Sequence, residues 1–244
     1  MRTYKLTVAY DGSRYQGWQR QSNTEKTIQG LLETTVSEVM GYPVEVQGSG
    51  RTDRGVHAKG QTASVILHGK TDEDAFFSEI NTRLPLDIRV VKVQLVKNGF
   101  HARLNAVGKC YEYWIDTREK PDVFMRKYTY HYPKDLDIEA MKKAAEYLTG
   151  RFDFAAFTDK KEEKSTIRTI YAIIVEAQGE KLRIEYRGSG FMYHMVRILT
   201  GTLLEVGDGR RTPESVKAAL ISKDRADAGF LAPARGLTLK EVYY

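Results

Sequence analysis

Tyr4, Leu6, Val8 and Tyr10 alternate with Thr3, Lys5, Thr7 and Ala9, a period of two that predicts a half-buried strand, closed by the turn dipeptide Asp11-Gly12. The period then lengthens. Ile28, Leu31, Leu32, Val36, Val39 and Met40 share one helical face, with Gly41 as the stop. Residues 44–47 read as a short strand and 61–67 as a longer one. Thr71, with Asp74 three residues on, has the form of a capping box and opens a helix with Phe76, Phe77 and Ile80 inward, broken at 81–85. A β-branched run over 88–96 predicts the next strand.

The second half repeats this order in outline. Residues 109–116 alternate Tyr111, Tyr113 and Ile115 against Cys110, Glu112 and Trp114, and 137–148 carry Ile138, Met141, Ala144, Ala145 and Leu148 on one helical face before Gly150. Strands follow at 166–176 and 181–187. The charge-rich stretch 151–168 reads as loop, with Lys160-Lys161-Glu162-Glu163-Lys164 a solvated, flexible segment. Gly190 opens a helix running to Gly207, Thr212-Pro213 caps a short helix over 215–221, and 238–244 is a last strand. Strand, helix, strand, strand, helix, strand is the split βαβ order. The expected fold is therefore α+β: two ferredoxin-like, RRM-like halves, 1–104 and 105–244, sharing an extended antiparallel sheet, with helices on one side and a central basic cleft.

Composition narrows what such a fold can do. A chain of 244 residues, 41% hydrophobic and 29% charged, can bury one large core or two modest ones. The net charge of +6 favours a polyanionic partner, and 15 Tyr, 9 Phe and 2 Trp supply stacking faces. The single Cys110 forbids an internal disulfide and a Cys-rich zinc site, and five scattered His lack metal-ligand spacing, so no metal is expected. No apolar stretch approaches membrane-spanning length, and the chain opens directly on a strand pattern, which predicts a cytoplasmic protein with no membrane partner.

Two stretches carry candidate chemistry. Arg14-Tyr15-Gln16-Gly17-Trp18-Gln19-Arg20-Gln21 interleaves bases, aromatics and amides, the mixture that contacts phosphates and stacks on exposed bases, or equally a Trp tucked under its own loop. Gly48-Ser49-Gly50-Arg51-Thr52-Asp53-Arg54-Gly55-Val56-His57-Ala58 packs three glycines, two arginines, a histidine and one carboxylate between strand-like runs. Glycines at 48, 50 and 55 permit positive φ and close backbone approach. Arg51 and Arg54 keep the Asp53 carboxylate ionised even under a covering substrate, and an ionised, shielded carboxylate is a nucleophile or a base. The same residues also fit a glycine-rich turn whose Asp caps its own backbone.

The second run resembles the active-site motif of the tRNA pseudouridine synthase A family, Gly-Arg-Thr-Asp-Ala-Gly-Val-His, whose Asp is catalytic; Arg54 stands where the family has Ala. Gly17-Trp18-Gln19 after Tyr10-Asp11-Gly12, Phe100-His101-Ala102-Arg103, His194-Met195-Val196-Arg197 and the Ala232-Pro233 to Gly236-Leu237 ending are similar to the same family. The likeness thus spans the chain from Tyr10 to Val242. It implies isomerisation of uridine to pseudouridine at positions 38, 39 and 40 in the anticodon arm of tRNA, by a homodimer. It implies Asp53 as the catalytic group and Tyr111 as the active-site tyrosine, stacking on the flipped uracil with its hydroxyl placed for the C5 proton. Arg197, a charge amid apolar residues that needs a carboxylate partner, matches the family's Arg that pairs with the catalytic Asp, so an Asp53–Arg197 ion pair across the halves is expected. Arg51, Arg54, Arg14, Trp18, Gln19 and Arg20 are the expected RNA contacts. His101 receives no catalytic role.

Exchanging an N-glycosidic for a C-glycosidic bond moves no electrons, so no cofactor is expected. Attack of Asp53 on the sugar C1′, attack on the base, and removal of the 2′ proton all remain open. Two other classes stand beside this reading. A catalytically silent RNA-binding protein fits the halves and the charge but leaves a carboxylate unexplained where phosphates must be met. A glycoside hydrolase acting on nucleosides wants a second carboxylate as acid, and none stands near Asp53 in sequence.

Overall fold

The computed structural model describes residues 1–160 and 165–244; the charge run singled out above lies, from Lys161 to Lys164, outside the described residues. In chain order the elements are β1 (Arg2–Tyr10), α1 (Ile28–Met40), β2 (Gln47–Gly48), β3 (His57–Leu67), α2 (Glu73–Arg83), β4 (Ile88–Val96), β5 (Gly108–Asp116), β6 (Tyr130–His131), α3 (Ile138–Leu148), β7 (Gly150–Asp153), β8 (Ile167–Gln178), β9 (Lys181–Gly188), α4 (Met195–Gly207), α5 (Ser215–Ser222) and β10 (Leu237–Tyr243). The class is α+β. The chain divides into two compact units, one of Met1–Val107 with Leu239–Tyr244, the other of Gly108–Thr238.

In the first unit β1 lies between β4 and β3, antiparallel to both, with β2 and β10 on the far edge of β3. Tyr4, Leu6 and Val8 on β1 are fully buried, as are Ile28, Leu32 and Val36 on α1, so the two periodicities meet in one core. Residues 44–46 are not a strand. The amides of Val44 and Val46 donate instead to the Ser37 hydroxyl and the Glu33 carboxylate on α1, which removes the need for a ladder partner. Nor does Thr71 cap α2: Asp72 does, accepting from Ala75 N at 2.8 Å, while the Thr71 backbone is taken by the Tyr4 hydroxyl. The helix continues past Asn81, whose amide bridges to both backbone groups of Val90 on β4, and Pro85 then forces Leu84 into extended backbone.

In the second unit the strand order is β5-β9-β8-β7, with the short β6 parallel on β5. Tyr113 and Ile115 point into a core with Met141, Leu148, Tyr186, Leu199 and Leu203. The other face of β5 is buried too, against the expected alternation, because Glu112 and Glu185 are covered by the ion pairs they form with Arg183 and, for Glu185, Arg187. Strand β7 occupies part of the stretch expected as loop. Helix α4 starts at Met195, five residues later than expected, from a His194 held in left-handed backbone at φ 61°.

Candidate active site

Asp53 belongs to the first unit and stands between β2 and β3 on a segment bonded on both flanks. Upstream, Ser49 N donates to Thr62 O, Ser49 Oγ to Gln61 Oε1, and Gln61 Nε2 to Gly50 O at 3.0 Å. Thr52 is held from the other side: its Oγ1 lies 2.8 Å from the Tyr10 hydroxyl and its carbonyl accepts from Trp18 N. Burial pushes the Tyr10 phenol far above its ordinary value, so this bond stays between neutral groups at any working pH. Downstream, Val56 N donates to Asp53 O at 3.1 Å and closes a four-residue turn with Gly55 at φ 80°, and the next residue, His57, accepts from Gly12 N through Nδ1. Of the three glycines expected to bend this run, Gly55 alone takes positive φ. Gly48 serves differently, since a Cβ there would stand 2.5 Å from the Trp18 indole.

Trp18 is therefore a correction. Its ring is 2% exposed, lies 6.1 Å from the Tyr10 ring and fills the space above Gly48, so it offers no face to a base and instead supports the Asp53 segment from beneath. Its neighbours fit contact better. Arg51 Nε donates to Gln19 Oε1 at 3.0 Å, Gln19 Nε2 to Gln29 Oε1, Gln29 Nε2 to Glu33 Oε1, and Arg20 Nη1 to Glu33 Oε2. This chain of side chains ties Arg51, Gln19 and Arg20 to α1, a mount that sequence spacing does not reveal. Arg14 is 78% exposed and 3.5 Å from Asp87, and Arg54 is exposed beside Asp53.

The second unit carries the other two expected groups. Tyr111 lies on β5 opposite Tyr186, 7% exposed, with the Phe191 ring edge-on at 5.4 Å. Arg197 is the third residue of α4 and half-buried; its Nε donates to Ala232 O at 2.7 Å, while Ala232 N donates back to Arg197 O. Burial raises the phenol of nearby Tyr113 well above its ordinary value, and the charge of Arg197 opposes part of that rise. Thr52, Gln61, Tyr10 and Tyr113 were not among the expected site residues. Thr52 lay inside the motif, and only its contact with Tyr10, 42 residues away, shows its part.

Residues 6–105 and 144–244 match the tRNA pseudouridine synthase family, segments that include the Asp53 run and α4 with Arg197, while Tyr111 falls between them. The chain belongs to that family. A protein of Bacillus sp. (strain KSM-64) named tRNA pseudouridine synthase A is 46% identical over 100% of both chains. Similar proteins of Clostridium perfringens, named tRNA pseudouridine synthase A 2, and Acetivibrio thermocellus, named tRNA pseudouridine synthase A, are each 42% identical, again over 100% of both chains. Membership makes the chain an isomerase that converts uridine to pseudouridine in tRNA. Among the described residues no helix is long and apolar enough to cross a membrane, and no three His, Cys, Asp or Glu side chains gather as metal ligands.

Proposed function

We propose that this synthase acts on uridines 38, 39 and 40 in the anticodon arm of tRNA, with Asp53 as its catalytic nucleophile or base. The observation that carries the reading is the placement of the one carboxylate of the matched motif at the head of a turn bonded on both sides, between two exposed arginines. Isomerisation breaks the bond from N1 to C1′, turns the uracil in place, forms the bond from C5 to C1′, and moves one proton from C5 while N1 gains one. Asp53 engages the sugar at C1′, the base, or the 2′ proton. Arg197 serves as the cation that aims it. Tyr111 stacks on the flipped base and handles the C5 proton. Each of these transfers is within the reach of side chains alone, and no redox step enters.

Arg51, Arg54, Arg14, Arg20 and Gln19 grip phosphate and sugar, giving an affinity that falls with salt. Shape supplies the choice among neighbouring uridines: a flexible arm brings each in turn to a fixed carboxylate. The enzyme works as a homodimer in the cytoplasm, and sedimentation at micromolar concentration reads the oligomer directly.

Incubation of unmodified tRNA carrying 5-tritiated uridine with the wild type and with Asp53→Ala, in chelator, tests the central point. Tritium release by the wild type alone supports the assignment. Release by both proteins, or binding without release by both, sinks it. Mapping of the product by nuclease digestion reads the positions modified.

A further inference from the structure

Strand β5 carries Tyr111 and Tyr113 two residues apart, hence on one face. Tyr113 is fully buried, its ring packs on the turn Ala234–Gly236, and its hydroxyl donates to Pro233 O at 2.6 Å. The preceding carbonyl, Ala232 O, is the one that accepts from Arg197 Nε, and Ala232 N returns a bond to Arg197 O. Residues 232–233 are thus a strap with one end on the strand and the other on the first turn of α4. A guanidinium bonded through Nε has its plane set by the acceptor, and its two terminal nitrogens then point as a pair in a fixed direction. Displacement of the strap turns that plane. The ring of Tyr113 alone would fill the core, and a buried hydroxyl is costly unless it is used.

We propose that Tyr113 is a positioning residue for the isomerisation: by pinning Pro233 it fixes the Ala232 carbonyl that orients Arg197, so that β5 sets both the tyrosine and the arginine of the site. The proposal rests on the reading that Arg197 serves Asp53. It places a determinant of turnover at a residue that touches neither RNA nor the reacting atoms.

Tyr113→Phe in the full chain keeps the ring and removes the bond. The expected result is a loss of about 10-fold in kcat on saturating tRNA with KM within about twofold of wild type, as misaimed groups cost rate and not binding. The Nε–H signal of Arg197 in a nitrogen-15 spectrum, identified by its loss in Arg197→Lys, shifts and exchanges faster with water. Pro233→Gly retains the Tyr113 hydroxyl, frees the strap, and gives the same two changes; it decides the matter alone should Tyr113→Phe fail to fold. Wild-type turnover in a folded Tyr113→Phe protein overturns the proposal, and so does reduced turnover with an unmoved Nε–H signal. Full turnover by Asp53→Asn would overturn the underlying reading instead, while the Nε–H signal would still report whether Tyr113 holds the arginine.

Discussion

Asp53 and Arg197 are mounted in different ways. The Asp53 segment is tied by bonds shared among Gln61, Thr62, Tyr10, Trp18 and Gly12, several of them backbone to backbone, so each bond bears a fraction of the load. Arg197 donates from Nε to the carbonyl of Ala232, and the neighbouring carbonyl, that of Pro233, accepts from the Tyr113 phenol. A carboxylate is short and its direction follows its backbone, so the loop must be stiff. A guanidinium ends a long side chain, so its direction has to be fixed near the tip. The first mount is redundant.

That contrast can be broken or sharpened by substitution. Asp53→Asn removes the carboxylate proposed to react while keeping the size of the side chain, and tritium release from labelled tRNA should fall on the order of 10⁴-fold or more, with tRNA binding retained. Arg197→Lys keeps a positive charge but loses the fork and the Nε bond; kcat should fall about 100-fold, read in the same assay under single-turnover conditions. Thr52→Val takes one tie from the redundant mount. It should cost about 1 kcal/mol of stability in urea titration and only a few-fold in kcat, and a loss comparable to that of Arg197→Lys would show that the loop is not redundant. The smallest effect is alkaline. Burial pushes the Tyr244 and Tyr132 phenols up to about 12, in Tyr132 with the Asp208 carboxylate adding to the rise, whereas both sit near 10 when unfolded. The native state then keeps protons that the unfolded chain has released, so the urea midpoint should slide down between pH 10 and 12 and stay flat from 8 to 9.5.

Periodicity made much of the fold legible. The strand at 2–10 and the helices at 28–40 and 138–148 each bury one regular set of apolar residues, whereas the strand at 88–96, read from its β-branched run, buries only Ile88 and Val90. Residues 44–46 misled because a β-rich tripeptide looks the same whether its amides meet a strand or the side chains of Ser37 and Glu33. Trp18 misled because a loop aromatic beside arginines has the composition of a stacking platform, and only the close approach of Gly48 reveals that the indole points inward. Within the candidate site, the sequence placed Asp53 in a glycine-rich run between two arginines, and the structure has Asp53 at the head of a turn with Arg51 and Arg54 exposed beside it. The strap was not legible. Its bonds run from side chains to carbonyls, and every residue has a carbonyl, so no residue type marks the place.

The first unit is not made of consecutive sequence. It is completed by Leu239–Tyr244, which holds most of β10, and that strand pairs with β3, the strand that leaves the Asp53 turn. During synthesis, residues 1–107 emerge with this edge of β3 lacking the β10 partner, and all of Gly108–Thr238 must follow before it arrives. The growing chain therefore carries its Asp53 loop on an unfinished sheet until Leu239–Tyr244 has been made. A chain cut short before Leu237 would hold every residue of the Asp53 motif and still lack the strand beside it.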